Sequence, residues 1–329
     1  MTVDLGLSQD EQAVRDLFRT FLTKECPPSV ARDAEGARGF DRELWDKLTL
    51  MGATGMAVDG ATLGELVVAC EEVGRAIAPV PLVEHLVASR VHPVPEMCDG
   101  STMATVSLRP SVNGIWALVP AGVEADIVVG VDGDELVAVR NMPPFEGPRN
   151  HASAPLADRS TSGHRIVLGP AAGFGKVLAE WQILTAAALV GIASAALDLG
   201  VDYAKARQQF GVPIGSFQAV QHGLADLPGL IDGARLLTHK AAWADVRTAI
   251  DVDDSSVEDQ IALASMAFVF ASDVASHATD RSLHYHGGYG FAREYDIQLY
   301  YRRARGWALI LGDPAAECRR LADRLFGGQ

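Results

Sequence analysis

The stretch from Tyr203 to Asp226, YAKARQQFGVPIGSFQAVQHGLAD, constrains the fold more tightly than any other part of the chain. Tyr203, Ala204, Arg207 and Gln208 stand at helical spacing, and then Phe210-Gly211 and Pro213 to Gly215 break the helix. Phe217, Val220, Gln221 and Leu224 restart a helical stripe. The pattern predicts two helices joined by a short, sharply bent loop with an arginine at its mouth. A guanidinium fork, the free N–H groups of the second helix's first turn and nearby amide side chains together suit a diphosphate.

The flanking sequence supplies long helices on either side of that loop. One is expected over 173–209 and a second over 216–249, bent at Pro228. A third is expected over 256–285, capped by Ser255 with Glu258, a fourth over 293–309 and a last one over 314–326. Short links between them argue for an antiparallel four-helix bundle. The N-terminal part is also helical. Ser8 with Glu11 and Thr62 with Glu65 are capping boxes, and Pro27-Pro28 and Gly52 are stops. Ala78-Pro79-Val80-Pro81 turns the chain into a short helix ending near Val91.

Between these helical parts the texture changes. Met103–Leu108, Ile115–Val119, Ile127–Val131, Leu136–Val139 and Arg165–Leu168 are short and β-rich, with a hairpin signal at Asp132-Gly133-Asp134. Four prolines between 143 and 155 keep the intervening stretch irregular. The fold class is therefore mainly α with a small β-domain: a helical domain over 1–100, a reduced β-barrel or sandwich over 101–170 and a helical bundle over 171–329. A dinucleotide-binding βαβ unit is excluded, because no glycine-rich strand-to-helix turn with a downstream ribose acid occurs.

A net charge of −14 argues against nucleic acid and anionic membrane surfaces as partners. The four cysteines are dispersed without a C-x-x-C pair, which fits a reduced, cytoplasmic protein with neither a disulfide framework nor a zinc site. No signal peptide is read at the N-terminus. Ile183–Leu199 is alanine-rich and reads as a buried helix shorter than a membrane span. His277, His284 and His286 lack a carboxylate to complete a metal set, and the tyrosines at 285–301 read as packing.

The central stretch resembles the acyl-CoA dehydrogenase signature R-x-Q-F-G-x-P-I-G-x-F-Q-A-V-Q-H-x-L-A-D almost continuously. His284–Arg305, HYHGGYGFAREYDIQLYYRRAR, is similar to the same family's C-terminal motif Q-x-x-G-G-x-G followed by E-Y and Y-R-D-A-R. Helices, a small β-domain and a helical bundle match the family's layout along nearly the whole chain. The resemblance implies α,β-desaturation of an acyl-CoA thioester with FAD as hydride acceptor and an electron-transfer flavoprotein as electron acceptor. It also implies that Arg207, Gln209, Phe210, Phe217, Gln218, His284, Gly287 and Gly288 hold the ADP half of an FAD bound in a neighbouring subunit.

The sequence also departs from its family. The usual catalytic glutamate after the Y-R-D-A-R helix is Leu311, followed by Gly312-Asp313. The alternative base position on the helix before R-x-Q-F-G is Trp181. Adjacent Glu180 is a weak candidate base because one residue turns a helix by about 100°; it and Asp313 otherwise read as solvated surface carboxylates. The flavin-covering segment T-E-P-x-x-G-S-D is missing, the W-I-T strand is Trp116-Ala117-Leu118, a CoA-touching arginine is Gln182, and Arg303 replaces an aspartate. Residues facing the chain's own flavin and substrate are lost, while those reaching a neighbour's FAD are kept. The expected assembly is a hetero-oligomer with a full-length homologue, like the paired subunits of actinobacterial steroid side-chain acyl-CoA dehydrogenases. A self-sufficient enzyme using Glu180 and a non-catalytic assembly subunit are the alternatives.

Overall fold

The computed structural model describes residues 6–36, 38–244 and 254–327, with side chains in the last stretch described from Gln260 onward. Six helices open the chain: α1 Gln9–Glu25, α2 Pro28–Asp33, α3 Arg42–Leu50, α4 Leu63–Arg75, α5 Leu82–Val91 and α6 Pro95–Cys98. Both capping boxes form: the Ser8 and Thr62 hydroxyls accept from the Glu11 and Glu65 amides, and each glutamate reaches back to its cap. Two short helices were not expected. The Pro28 that stops α1 also starts α2, because a fixed φ and a missing N–H cost nothing in a first turn.

The β-domain comprises β1 Ala104–Val106, β2 Ile115–Val119, β3 Ile127–Asp132, β4 Glu135–Arg140, β5 Ala157–Ser160 and β6 His164–Pro170. The order β1-β3-β4-β6 makes a four-stranded sheet, and β2 and β5 form a separate antiparallel ribbon. β3 and β4 close at Gly133-Asp134, with Asp132 paired to Glu135. Side-chain alternation sorts the two faces. Ile127, Val129, Val131, Leu136 and Ala138 enter the main core against the helices. Val128, Val137 and Val139 form a second small core with Trp116 and Val119 of the ribbon. The layers are thus helices, sheet and ribbon. Strand β5 falls inside the stretch expected to be irregular; its Arg159 is buried and donates to the carbonyls of Gly122, Ala125 and Asn141.

The bundle is built from α7 Phe174–Ala206, α8 Gln218–Ala225, α9 Leu227–Trp243, α10 Asp254–His286, α11 Ile297–Leu309 and α12 Pro314–Phe326. Several expectations need correcting. α7 ends at Ala206 rather than 209, because Arg207 is already extended. The helix expected over 216–249 is two helices that break at Asp226, with Pro228 in the first turn of the second. Its extension beyond 244 and the Ser255/Glu258 cap lie outside the described residues. The helix expected from 293 starts at Ile297, after a 3₁₀ turn over Gly287–Phe291. α7 is also not too short to span a membrane: it passes by length and composition, as does Gln260–Phe291. In α7, 78% of the apolar window is buried inside the molecule, so packing accounts for its composition.

α7 is the axis of the molecule and packs against α4, α9, α10 and α11. Its crossing with α4 is a backbone contact. A Cβ on Gly74 would lie 1.9 Å from the Ala188 carbonyl oxygen, and one on Gly191 would lie 1.9 Å from that of Glu71. Only glycine permits that approach, which fixes where the N-terminal helices sit along α7.

Candidate functional site

Two regions carry the residues singled out in the sequence, and they differ in kind. The first is the loop after α7. Arg207 caps that helix in extended conformation, and its carbonyl accepts from the Ile214 amide. Between them lies a two-rung hairpin, β7 Gln208–Gln209 and β8 Val212–Pro213. Its turn residues Phe210 and Gly211 have φ of 55° and 82°, as a two-residue hairpin of this hand requires. This turn presents Phe210 with 93% of its surface exposed, edge-on to Phe217 at 6.1 Å. Phe217 is the N-cap of α8, which opens without a side-chain cap. The first-turn N–H groups beside Gln218 therefore stand at the surface with the helix dipole behind them.

The end of α10 closes this surface from the other side. The Tyr285 hydroxyl donates to the Ala219 carbonyl at 3.3 Å and lies over Gly223. His286 is buried, bonded to the Ser282 carbonyl at 2.7 Å and stacked on Tyr203 at 4.0 Å. This explains the tyrosine cluster as packing that locks α10 to α7. The 3₁₀ turn then brings Tyr289 beneath Arg207, whose guanidinium carbon lies 5.6 Å from the ring centre. Arg207, Gln209, Phe210, Phe217, Gln218, His284, Gly287 and Gly288 are all exposed. A Cβ added at Gly211, Gly287 or Gly288 would meet nothing within 4 Å. Arg207 and the α8 terminus thus flank open space, a donor set that fits the diphosphate of a nucleotide.

The second region faces inward, and here the expectation for Glu180 fails. Glu180 is not a solvated carboxylate; it is buried in α7 and ion-paired to Arg90 of α5 at 3.2 Å. Trp181 is fully buried and its indole N–H donates to Glu84 of α5 at 3.2 Å. Burial raises the Glu84 pKa, with the Trp181 bond opposing it, and among the described residues no cation pairs with Glu84. The amide of Gln182 donates to Glu317 of α12 at 2.8 Å, and Ser265 of α10 donates to the same oxygen at 2.8 Å. Gln182 is therefore spent on anchoring the last helix. Burial works to raise the Glu317 pKa, but the bonds from Ser265, Gln182 and Arg320 outweigh it and hold the carboxyl below its usual range. Leu311 is buried, and its carbonyl accepts from Arg109 of the β-domain at 2.9 Å. Asp313 is the N-cap of α12, bonded to the Ala315 amide at 3.0 Å.

What remains between these groups is a cavity of about 70 Å³, whose walls include Glu84, Trp181, Thr185, Arg303, Trp307 and Ile310. Pockets that hold a cofactor or drug-sized ligand run from about 300 to 1,000 Å³. Groups of strand β2 are also committed. The Trp116 indole donates to the Val131 carbonyl at 2.7 Å, and the Leu118 amide donates to Asp158 at 2.8 Å. Glu84 and Arg303 were missed as site residues by sequence reasoning. Glu84 meets Trp181 only through the fold, and Arg303 was read only as the replacement of an aspartate, whereas it is 2% exposed and lies 3.6 Å from Glu35.

Comparison with known proteins agrees with the arrangement of elements. Residues 8–96 match the family description Acyl-CoA dehydrogenase, N-terminal domain, and residues 175–326 match Acyl-CoA dehydrogenase, C-terminal domain. The chain is 32% identical to acyl-CoA dehydrogenase IpdE2 of Mycolicibacterium smegmatis, over 97% of this chain and 100% of that one. It superposes on the Tcur3481-Tcur3483 steroid ACAD G363A variant with a TM-score of 0.83 and 28% identity, covering 99% of each chain. The ChsE4-ChsE5 complex from Mycobacterium tuberculosis gives a TM-score of 0.83 at 22% identity, covering 98% of this chain and 99% of that one, a likeness of fold.

Proposed function

The chain belongs to the acyl-CoA dehydrogenase family, and from that premise we propose that it is the subunit of a hetero-oligomer that clamps the ADP half of FAD without supplying the catalytic base. The observation that carries this reading is the bond from Trp181 to Glu84 at the wall of a cavity of about 70 Å³. A tryptophan fills the position where a family base would stand. Glu84 is a carboxylate at the wall of that cavity, and it is engaged by the Trp181 indole. Glu180, the relocated base of the alternative reading, has its carboxylate tied to Arg90.

The outward face is built differently, and its residues fit the cofactor's diphosphate. Arg207 offers a fixed cation with fork geometry, the uncapped start of α8 offers N–H donors, and Gln218 and His284 offer hydrogen bonds to phosphate or ribose. Phe210 and Phe217 shield the loop once a partner covers it. Bound FAD supplies hydride acceptance at its ring, and in this reading the ring and the base belong to the partner chain. The partner is a full-length acyl-CoA dehydrogenase, the substrate is a steroid-derived acyl-CoA, and an electron-transfer flavoprotein takes the electrons. The heteromeric and steroid-related names of the similar structures support that choice.

The test is Glu180→Gln in the complex co-purified with a full-length homologue. The amide oxygen still accepts from Arg90, so the fold is kept. Unchanged kcat is expected; loss of turnover with FAD retained would overturn the reading in favour of a self-sufficient enzyme.

A further inference from the structure

Three arginines of the bundle are each held by a carboxylate. Arg235 is paired with Glu71 and Arg302 with Glu35, and Arg305, which lies over the Tyr301 ring at 3.7 Å, also meets Asp280 at 3.5 Å. Arg207 is held differently. Among the described residues its guanidinium has no carboxylate and no hydrogen-bond acceptor, and Asp202 on the preceding turn is taken by Lys205 at 3.9 Å. Its side-chain partner is the Tyr289 ring, whose centre is 5.6 Å from the guanidinium carbon, within the reach of about 6 Å for a cation over an aromatic face. A carboxylate would steady the group but would cancel its charge and take up the N–H donors that an incoming anion needs. A ring face attracts the cation through its quadrupole and leaves the in-plane N–H groups free.

The ring is itself fixed in place. The 3₁₀ turn that carries it is seated on the last turn of α10, where a Cβ on Gly290 would lie 2.7 Å from the Leu283 carbonyl oxygen. Tyr289 is tilted against Tyr295 at 5.8 Å, and Tyr295 meets Tyr203 edge-on at 6.1 Å and His286 edge-on at 5.9 Å. The Tyr203 carbonyl in turn accepts from the Arg207 amide at 2.8 Å. The contacts close a circuit: the Arg207 backbone hangs on Tyr203, its side chain rests on Tyr289, and Tyr295 bridges the two rings. We infer that Tyr289 is a positioning residue of the cofactor clamp, whose ring holds the Arg207 guanidinium with its donors unspent at the open space beside α8. The inference rests on the clamp reading and adds to it a residue that acts through Arg207. A loose arginine gives up its rotamer freedom at the moment of binding, whereas one already held does not. The Tyr289 hydroxyl makes no hydrogen bond among the described residues, so the ring face carries the effect.

The test is a double-mutant cycle in the complex co-purified with a full-length homologue, read as FAD retained on dialysis, with the melting temperature of each variant as the control for folding. Tyr289→Leu keeps an apolar side chain but removes the ring, and FAD affinity should fall by about two- to fivefold, the range of an exposed cation–π contact. Tyr289→Phe should restore the parent affinity. In an Arg207→Ala background, Tyr289→Leu should have no further effect, because it acts through the arginine. A second measurement needs no cofactor: in the chain alone, the Arg207 side-chain protons should show an upfield ring-current shift that Tyr289→Phe keeps and Tyr289→Leu loses. An Arg207→Ala complex that retains FAD as the parent does would overturn the clamp reading, and this inference with it. Loss of FAD by Arg207→Ala but not by Tyr289→Leu, a Tyr289→Leu loss that persists in the Arg207→Ala background, or no ring-current shift in the parent would each overturn the inference and leave the clamp standing.

Discussion

Replacing Trp181 by alanine removes the largest side chain between α7 and the N-terminal helices. The indole is fully buried, tilted against Phe268 at 5.7 Å and bonded to Glu84 at 3.2 Å. Large-to-small changes of this kind cost about 3–5 kcal/mol. Glu84 then loses its donor, which adds about 1 kcal/mol, the low end for a buried acceptor, because the enlarged cavity admits water. The expected cost is about 4–6 kcal/mol, a large share of the stability of an ordinary domain. Trp181→Phe keeps most of the ring volume and loses only the donor, so about 1–2 kcal/mol is expected. Urea unfolding of the two variants beside the parent chain measures both, and added indole should recover part of the loss in Trp181→Ala alone. A cost below about 1 kcal/mol for Trp181→Ala, or equal costs for the two variants, would refute the claim that this side chain plugs the inward pocket.

Three further outcomes follow from the geometry. Arg207→Ala should weaken FAD retention by the co-purified complex by roughly tenfold, since an exposed charge-assisted contact lies at the low end of its range, and dialysis with flavin absorbance reads it. Glu84→Gln keeps the acceptor for Trp181 and removes a titration. The folded Glu84 pKa is raised, so its contribution is full below the unfolded carboxylate pKa and is lost as pH rises through the folded value. The parent should therefore lose stability relative to Glu84→Gln as pH rises above the carboxylate range, and parallel melting curves from pH 4 to 8 would contradict this. Glu317 has the opposite sign: its folded pKa is lowered, so its contribution is present above the unfolded pKa and is lost as pH falls through the folded one. Glu317→Gln should be less stable than the parent at neutral pH and converge with it in acid, with α12 exchanging its amides first.

How much of this was legible in the sequence depends on how far apart the interacting residues are. The Ser8–Glu11 and Thr62–Glu65 caps and the turn at Asp132–Glu135 are local chemistry and were readable directly. Pro228 was read as a bend, but a helix can also restart at proline, and the break at Asp226 took that option. β5 was hidden because its inward residue is Arg159, whose burial is made tolerable by carbonyls from three other segments. The outward residues Arg207, Phe210 and Phe217 lie within one short stretch, so their grouping was visible, whereas the contact from Arg207 to Tyr289 was not. On the inward side the sequence identified which acids were missing but not where the remaining ones went. Glu180 was assigned to solvent and Gln182 to a lost substrate contact. They are instead bound to Arg90 and to Glu317, partners that only the packing of α5 and α12 supplies.

Visible absorbance of the chain purified alone, after incubation with excess FAD and desalting, tests the shared clamp most directly. A subunit that grips only the diphosphate of a cofactor seated in its partner is expected to elute colourless, and to elute yellow and active when co-expressed with a full-length homologue. A yellow preparation of this chain by itself, with one flavin per polypeptide, would contradict it.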